Sequence, residues 1–202
     1  DIAVAGSQKG FMLPAGLAIL GVSDKALAEM EGATLPRTFF DFRDMLKSYA
    51  AGGYPYTPAV GLISGLAKAV EMLEDEGLEA VYARHHRLAE GVRRAVAGWG
   101  MKPCAVSADL YSDTITAVLV PEGCNGTDLV QLAAKKYGVA FGVGLGEVAG
   151  KVFRIGHLGM LTDVMMLSGL ACAEMCMADL GWPVTLGSGI AAAQDYYRKT
   201  AA

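Results

Sequence analysis

The N-terminal part of the chain alternates short apolar runs with turns rich in glycine and proline. Residues 2–5 and 16–22 have the length and apolarity of strands, and residues 6–14 form a loop between them. Ser23 precedes a helical stretch over residues 24–30, where its short side chain is suited to accept a hydrogen bond from a free backbone N–H. We therefore expect two strands, the first of them buried, followed by a short capped helix.

Longer helices are expected in the middle of the chain. One helix is predicted over residues 39–50. Thr57-Pro58 marks the start of the next, because threonine is a favoured N-terminal cap and proline is favoured at the first helical position. Apolar positions then repeat at helical spacing until Gly77, which should end this helix.

After a second long helix over residues 78–99, short strands alternate with helices. The helix 78–99 has a charged face, on which His85 and His86 are expected to be solvated. The later pattern predicts strands at residues 103–107, 114–121, 139–142 and 151–156, and helices at residues 128–137, 163–180 and 190–199. Such an alternation is typical of a small α/β or α+β domain.

The expected organisation is two domains joined by the charged helix. Residues 1–77 form the first domain, residues 78–100 the connecting helix, and residues 101–202 a small C-terminal domain. The chain opens on Asp1 directly into a strand-like run, which we interpret as a cut inside a domain. We therefore expect this chain to be part of a working protein.

Composition excludes several classes of partner. The net charge is −4 and no polybasic stretch occurs, so neither nucleic acid nor an anionic membrane surface is an expected partner. The most apolar window, residues 164–182, contains Glu174 and Asp179 and fits a buried helix better than a membrane span. The four cysteines form no CxxC pair, which favours buried thiols over a metal site. With no signal peptide in view, a cytoplasmic location is expected.

Lys9 is the first candidate for chemistry. It follows an apolar strand and lies in a turn bounded by Gly6 and Gly10, with no acidic residue in the motif. An apolar, partly desolvated pocket favours the neutral amine of a lysine, which can then attack a carbonyl and form a Schiff base. An ordinary turn lysine is the alternative, and the spacing of a Walker phosphate loop is absent.

An anion site is the second candidate. Tyr54, Tyr56 and Thr57 bring two phenols and a hydroxyl to the predicted helix start. Free N–H groups and the positive end of the helix dipole favour a phosphate there. The alternative is a capped helix with packed aromatic rings.

Arg154 is the third candidate, because it stands between Phe153 and Ile155 in a strand of buried type. Its guanidinium requires an anionic partner, which is either a protein carboxylate or a substrate carboxylate. His157 follows on a glycine-lined turn and is expected to be a core or turn histidine. The nearby glycines precede a strand instead of linking a strand to a helix, so they do not form a dinucleotide fingerprint.

Three motifs occur in register along the chain: GSQKGFMLPAGLA, YPYTPA and GKVFRIGHLG. Together they resemble the class V, fold type I, pyridoxal-phosphate aminotransferases, most closely the serine–glyoxylate and alanine–glyoxylate group. The resemblance covers about residues 1–180. It implies an α/β fold in which this chain is the C-terminal part: the end of the large cofactor domain, the connecting helix and the small domain.

The resemblance also assigns roles to the candidate residues. It implies that Lys9 forms the Schiff base with pyridoxal 5′-phosphate and shuttles the proton, and that Gln8 hydrogen-bonds the cofactor phosphate. Tyr54 and Thr57 match a pair that reaches the phosphate from the neighbouring subunit, which implies a homodimer with shared active sites. Arg154 matches the arginine that binds the substrate α-carboxylate.

The implied reaction converts serine and glyoxylate into hydroxypyruvate and glycine, so that the partners are small amino acids and 2-oxo acids. Alanine–glyoxylate or serine–pyruvate exchange is the alternative, as is a non-catalytic interaction module. Family members contribute the aspartate that pairs with the pyridine nitrogen from the region before the lysine, and Asp1 is too near Lys9 in sequence for that role. We therefore expect the isolated chain to be inactive.

Overall fold

The computed structural model describes residues 1–201 and contains two compact units that join, in sequence, at Gly77. Residues 1–76 form the first unit, and the second begins at Gly77. Gly77 has a φ angle of 83°, in the left-handed region that glycine adopts without strain. The prediction that the helical pattern stops at Gly77 is confirmed, because one helix ends directly before it and another begins directly after it.

Residues 1–76, all of them described, form a two-stranded sheet and three helices. Strand β1 (Ile2–Gly6) pairs antiparallel with β2 (Ala18–Val22). The helices are α1 (Asp24–Glu29), α2 (Phe42–Ala50) and α3 (Val60–Glu76). Ser23 caps α1 as predicted, because its side chain accepts a hydrogen bond from the Ala26 N–H at 3.3 Å.

The expectation that the first strand is buried is wrong. The side chains of Ile2 and Val4 are 49% and 69% exposed. Within residues 1–201, β1 hydrogen-bonds only with β2. A two-stranded sheet cannot bury its own faces. The apolar composition of β1 is therefore not sufficient to predict that the strand is buried.

Helix α3 begins later than the sequence predicts. The Val60 N–H bonds to the Pro58 carbonyl at 3.0 Å in a tight turn, and the first full helical bond runs from the Ile63 N–H to the Ala59 carbonyl. Thr57 therefore lies outside the helix and does not cap it. Its hydroxyl is exposed instead of being used by the helix backbone.

The described residues of the second unit, 77–201, form a four-stranded antiparallel sheet and four helices. The strands lie in the order β3, β4, β6, β5. They are β3 (Lys102–Pro103), β4 (Ile115–Leu119), β5 (Gly142–Val143) and β6 (Val152–Gly156). The helices are α4 (Leu78–Gly98), α5 (Gly126–Leu132), which a π turn over Ala133–Tyr137 extends, α6 (Asp163–Asp179) and α7 (Ser188–Thr200).

Two predicted strands, residues 103–107 and 139–142, are reduced to the two-residue strands β3 and β5. After Cys104 the chain leaves the sheet and enters a 3-10 turn. Near β5 the reason is a competing hydrogen bond, because the Val139 N–H bonds to the Ala133 carbonyl at 3.1 Å, directly after the π turn that the Gly138 N–H closes on the same carbonyl. The Val139 N–H is then not available to a strand ladder.

Helix α4, expected as a connector, contributes to the core of the second unit. Its buried residues are Val81, His85, Leu88, Ala89, Gly91, Val92, Arg93, Ala95 and Val96. Gly91 allows close packing against α7, because a Cβ there would lie 2.0 Å from the Tyr197 ring. The Tyr197 hydroxyl donates a hydrogen bond to the Leu88 carbonyl at 2.8 Å. A connector would not bury this much of its surface.

The charged face of α4 is largely used in ion pairs instead of being solvated. Arg93 is 8% exposed, and its guanidinium donates to Glu90 at 2.6 Å and to Asp113 at 3.2 Å. Arg87 makes a bidentate pair with Asp163, with both N–O distances 2.6 Å. These ion pairs connect α4 to the loop before β4 and to the start of α6. The pattern of charges along the sequence does not distinguish such a face from one that is exposed to solvent.

Helix α6 contains much of the most apolar window of the sequence and packs in the core of the second unit. Its buried residues are Met166, Leu170, Cys172, Ala173, Glu174, Cys176 and Met177. None of the helices in residues 1–201 has the length and apolarity needed to cross a membrane.

A single buried carboxylate joins three helices in this core. Glu174 is 2% exposed, and its Oε1 accepts hydrogen bonds from Trp99 Nε1 at 2.8 Å and from the Gly189 and Ile190 N–H groups at 2.7 and 3.0 Å. Its Oε2 accepts a hydrogen bond from the Gly187 N–H at 2.6 Å. Three of these donors belong to the start of α7, where the helix dipole also favours a negative charge.

We predict that Glu174→Gln lowers the free energy of unfolding by about 2–4 kcal/mol, because the amide turns one acceptor into a donor that faces other donors in a buried site. Urea unfolding followed by circular dichroism measures this change. The matched control is Glu122→Gln at an exposed position, where a change below about 0.5 kcal/mol is expected. Equal stability of the two variants would contradict the prediction.

Candidate active site

The loop between β1 and β2 presents Gln8 and Lys9, and both side chains are exposed. The Lys9 N–H donates to the Gly6 carbonyl at 3.3 Å, and the Lys9 carbonyl accepts from the Met12 N–H at 2.9 Å. No side chain of residues 1–201 makes a hydrogen bond or ion pair with the Lys9 amine. The backbone of Lys9 is therefore fixed by local hydrogen bonds while its amine is available.

The partly desolvated pocket expected around Lys9 is not formed by residues 1–201. The expectation followed from the apolar run before Lys9, and that run is the exposed strand β1. The reactivity of Lys9 therefore does not follow from burial within these residues.

Ser7, at the start of this loop, makes hydrogen bonds to the residues at its end. Its side chain is fully buried, and its Oγ donates to the Pro14 carbonyl at 2.8 Å and accepts from the Leu17 N–H at 3.2 Å. Its backbone N–H donates to the Leu17 carbonyl at 3.0 Å, and its carbonyl accepts from the Leu13 N–H at 3.1 Å. The role of Ser7 is not predictable from the sequence, because a serine between glycine and glutamine does not indicate hydrogen bonds to residues up to ten positions away.

Two segments of the first unit contain a non-glycine residue with left-handed backbone, and both adjoin candidate residues. Met12, with φ 58°, follows Lys9, and Phe39 has φ 68°. The Phe39 ring stacks on Tyr56, with centroids 4.6 Å apart. Such conformations cost energy and concentrate at functional sites. Phe39 also explains why α2 does not begin at residue 39 as predicted.

Tyr54 and Thr57 lie in the exposed segment before α3. The Tyr54 side chain is 60% exposed, and no hydrogen bond joins either hydroxyl to another group of residues 1–201. Both hydroxyls are therefore available as donors, although the helix start expected to share this anion site lies three residues beyond Thr57.

Arg154 lies at the centre of β6, opposite Ala117 of β4 and Gly142 of β5. It is half-buried, and its Nε donates to the Val143 carbonyl at 2.9 Å. No carboxylate of residues 1–201 pairs with its guanidinium. Of the two partners left open by the sequence, the described part of the chain does not supply the protein carboxylate.

Gly142 makes room for the Arg154 side chain. A Cβ at this position would lie 3.0 Å from Arg154 Nε and 3.4 Å from its Cζ. Only glycine therefore lets the guanidinium lie against β5 without displacement. A weak indication of this role is present in the sequence, since Gly142 opens the glycine-rich stretch before β6.

The two buried histidines hold turns. His157 is fully buried; its Nδ1–H donates to the Asp113 carbonyl at 3.0 Å, and its Nε2 accepts from the Thr116 hydroxyl at 2.9 Å. This confirms a core histidine. His85, expected in solvent, is instead buried, and it bridges the Val81 carbonyl and the Gly159 N–H.

The cysteines carry no reactive thiolate in the core. All four are unpaired with one another; Cys172 and Cys176 are buried, whereas Cys104 and Cys124 are half-buried, contrary to expectation. Burial raises the pKa of the Cys176 thiol to about 12. Among residues 1–201, no group of three or more His, Cys, Asp or Glu side chains is arranged to hold a metal ion.

We predict that His157 makes the stability fall as the pH is lowered. Burial lowers the pKa of His157 from 6.5 to about 4, so between these values the unfolded chain binds a proton that the folded chain excludes. This contribution is complete above pH 6.5 and is lost toward pH 4, with a maximum of about 3 kcal/mol.

Urea unfolding at a series of pH values measures the effect. His157→Asn retains a donor toward the Asp113 carbonyl and should give a flatter dependence, whereas Gln131→Asn, at an exposed position that does not titrate, should keep the dependence of the wild type. If the free energy of unfolding changed equally with pH in the wild type and in His157→Asn, His157 would not contribute to the pH dependence of stability.

The chain is similar over its whole length to known proteins of one family. The profile of the family described as aminotransferase class-V matches residues 1–153. The chain is 64% identical over 202 residues to L-aspartate–glyoxylate aminotransferase of Paracoccus denitrificans and 51% identical over 203 residues to serine–glyoxylate aminotransferase of Hyphomicrobium methylovorum. Each alignment covers 100% of this chain and 51% or 50% of the relative.

The fold is also similar to that of a solved aminotransferase. The crystal structure of pyridoxamine–pyruvate aminotransferase from Mesorhizobium loti superimposes with a TM-score of 0.92 at 36% identity, covering 100% of this chain and 52% of that one. The chain thus spans about half the length of the curated relatives that it matches. The expected α/β transferase fold is confirmed, and the chain belongs to the class V aminotransferase family.

Proposed function

We propose that this chain provides part of a pyridoxal-phosphate-dependent aminotransferase that transfers an amino group to glyoxylate. The observation that carries the proposal is the unpartnered amine of Lys9, which projects from a loop whose backbone is fixed by its own hydrogen bonds. Transamination needs such an amine on a fixed backbone, free of competing ion pairs.

The described residues fit the cofactor that the family implies. Pyridoxal phosphate supplies an aldehyde that a primary amine captures, and a ring that stabilises negative charge at the substrate α-carbon. Lys9 provides the amine, while Gln8, Tyr54 and Thr57 provide uncharged donors for a phosphate. The motifs GSQKG and YPYTP contain no carboxylate that would repel it.

Lys9 also acts as the base and acid of the reaction. Its Nζ takes the proton from the α-carbon of the amino donor, and it returns a proton to the carbon that becomes the α-carbon of glycine. An exposed, flexible amine on a fixed backbone is suited to this exchange, since it has to move between two positions.

Arg154 binds the α-carboxylate of the substrate. The Val143 carbonyl occupies its Nε, which leaves the two terminal nitrogens for a carboxylate. Gly142 supports this role because it has no Cβ that would displace the Arg154 side chain.

Serine is the first candidate donor, and its reaction with glyoxylate gives hydroxypyruvate and glycine. Aspartate is the second candidate, because the relative at 64% identity is named for it. Alanine–glyoxylate and serine–pyruvate exchange, which are also transaminations, remain the alternative reactions. A screen of donors against glyoxylate, with ratios of kcat/KM, distinguishes them.

The proposal includes a cytoplasmic homodimer with shared active sites. The exposed hydroxyls of Tyr54 and Thr57 support it, since they are available to reach the phosphate bound to a second subunit.

Lys9→Arg in the complete enzyme should lower the rate of glycine formation from glyoxylate by at least about 100-fold, because a guanidinium neither captures an aldehyde nor accepts a proton at neutral pH. The control is Lys25→Arg, at an exposed lysine paired with Asp1. The isolated chain should show no turnover. An active Lys9→Arg variant would refute the role of Lys9.

Arg154→Lys should raise the KM for glyoxylate by about 10- to 100-fold, because a lysine cannot bind a carboxylate through two parallel hydrogen bonds. Gly142→Ala should change KM in the same direction and by less, since Arg154 can shift by a few tenths of an ångström. Gly169→Ala is the matched control, as a Cβ there meets no atom within 4 Å. An unchanged KM in Arg154→Lys would exclude this carboxylate site.

A further inference from the structure

We infer that Ser7 is a positioning residue for Lys9, and that its buried hydroxyl sets the conformation of the loop from which the reactive amine projects. This inference rests on the proposed function. If Lys9 were not the reactive amine, the hydrogen bonds of the Ser7 hydroxyl would only stabilise a turn.

Burial singles out Ser7 in its surroundings. Among residues 1–76, only Ser7 and Ala69 are buried, and Ser7 is completely so. Its neighbours Gln8 and Lys9 are exposed. Burying a hydroxyl lowers the stability of the fold unless the hydroxyl makes hydrogen bonds. The Ser7 hydroxyl does so, both as a donor and as an acceptor.

The contacts of Ser7 join the start of the loop to its end. The hydroxyl bridges the Pro14 carbonyl and the Leu17 N–H, while the backbone of Ser7 pairs with Leu13 and Leu17. Lys9 lies inside the ring of backbone that the Ser7–Leu13 hydrogen bond closes. The Cα of Lys9 therefore cannot shift far without breaking this set of contacts.

The loop also contains a conformation that requires such a closure. Met12 has φ 58°, which is unfavourable for a residue with a side chain, and its N–H bonds to the Lys9 carbonyl at 2.9 Å. Without the Ser7 hydroxyl, the Pro14 carbonyl and the Leu17 N–H lose their side-chain partner. Met12 is then free to return to a favourable conformation, and Lys9 moves with it.

A series at this position separates the hydroxyl from its volume. Ser7→Cys has nearly the same shape with a weaker donor, Ser7→Ala removes the donor and acceptor, and Ser7→Thr restores the hydroxyl with one added methyl group. Ser23→Ala is the matched control, because the Ser23 hydroxyl accepts a backbone hydrogen bond in the same unit, at the cap of α1. It should cost stability without moving Lys9.

The experiment uses the complete enzyme with pyridoxal phosphate. Four quantities are measured for each variant: kcat and KM for glyoxylate, the pH midpoint at which the visible absorption band of the bound cofactor changes, and thermal stability without cofactor. Ser7→Ala should lower kcat by about 10- to 100-fold, leave KM within about twofold, and shift the pH midpoint. Ser7→Cys should be intermediate, and Ser23→Ala should change only thermal stability.

Two outcomes would overturn the inference in distinguishable ways. If Ser7→Ala loses thermal stability as Ser23→Ala does, but keeps kcat and the pH midpoint of the wild type, Ser7 is only structural. If the wild type binds no pyridoxal phosphate, the proposed function fails and the inference with it. If Ser7→Ala does not fold, an unchanged kcat and midpoint in Ser7→Cys would likewise overturn the inference.

Discussion

The second unit depends on one buried carboxylate, that of Glu174. Transfer of a charge into a protein interior is costly, and here four N–H donors from two different helix ends compensate for it. The centroid of the Trp99 ring, which donates to Glu174, lies 6.5 Å from that of Phe153, the residue before Arg154. Glu174 therefore fixes the packing around the strand that carries the candidate substrate-binding arginine.

The first unit is stabilised in a different way. Its strands and its aromatic segments are exposed, so hydrogen bonds define its local geometry more than burial does. They are those of Ser7, of Ser23, and of Asp41, whose side chain caps α2 by accepting from the Arg43 N–H at 3.0 Å. This difference matters for the chemistry, because Lys9 needs a fixed backbone and a mobile amine. A loop closed by a small buried hydroxyl provides both.

The sequence predicted what depends on local pattern, and it failed where distant contacts decide. The long helices, the cap at Ser23 and the strand around Arg154 follow from periodicity and composition. His85 was misassigned because a histidine on a charged face becomes buried only when a distant loop supplies its partner, the Gly159 N–H. The role of Ser7 was missed for the same reason, since its hydroxyl acts on residues up to ten positions away.

The assignment of Lys9 as the amine that captures the cofactor is tested most directly by reducing the complete protein with borohydride in the presence of pyridoxal phosphate and mapping its peptides. Reduction makes a carbonyl–amine linkage permanent, so the modified lysine can be identified by mass. A phosphopyridoxyl group on the peptide that contains Lys9, absent when Lys9 is replaced by arginine, is the expected result. No modification, or modification equally distributed over exposed lysines such as Lys25 and Lys47, would contradict the assignment.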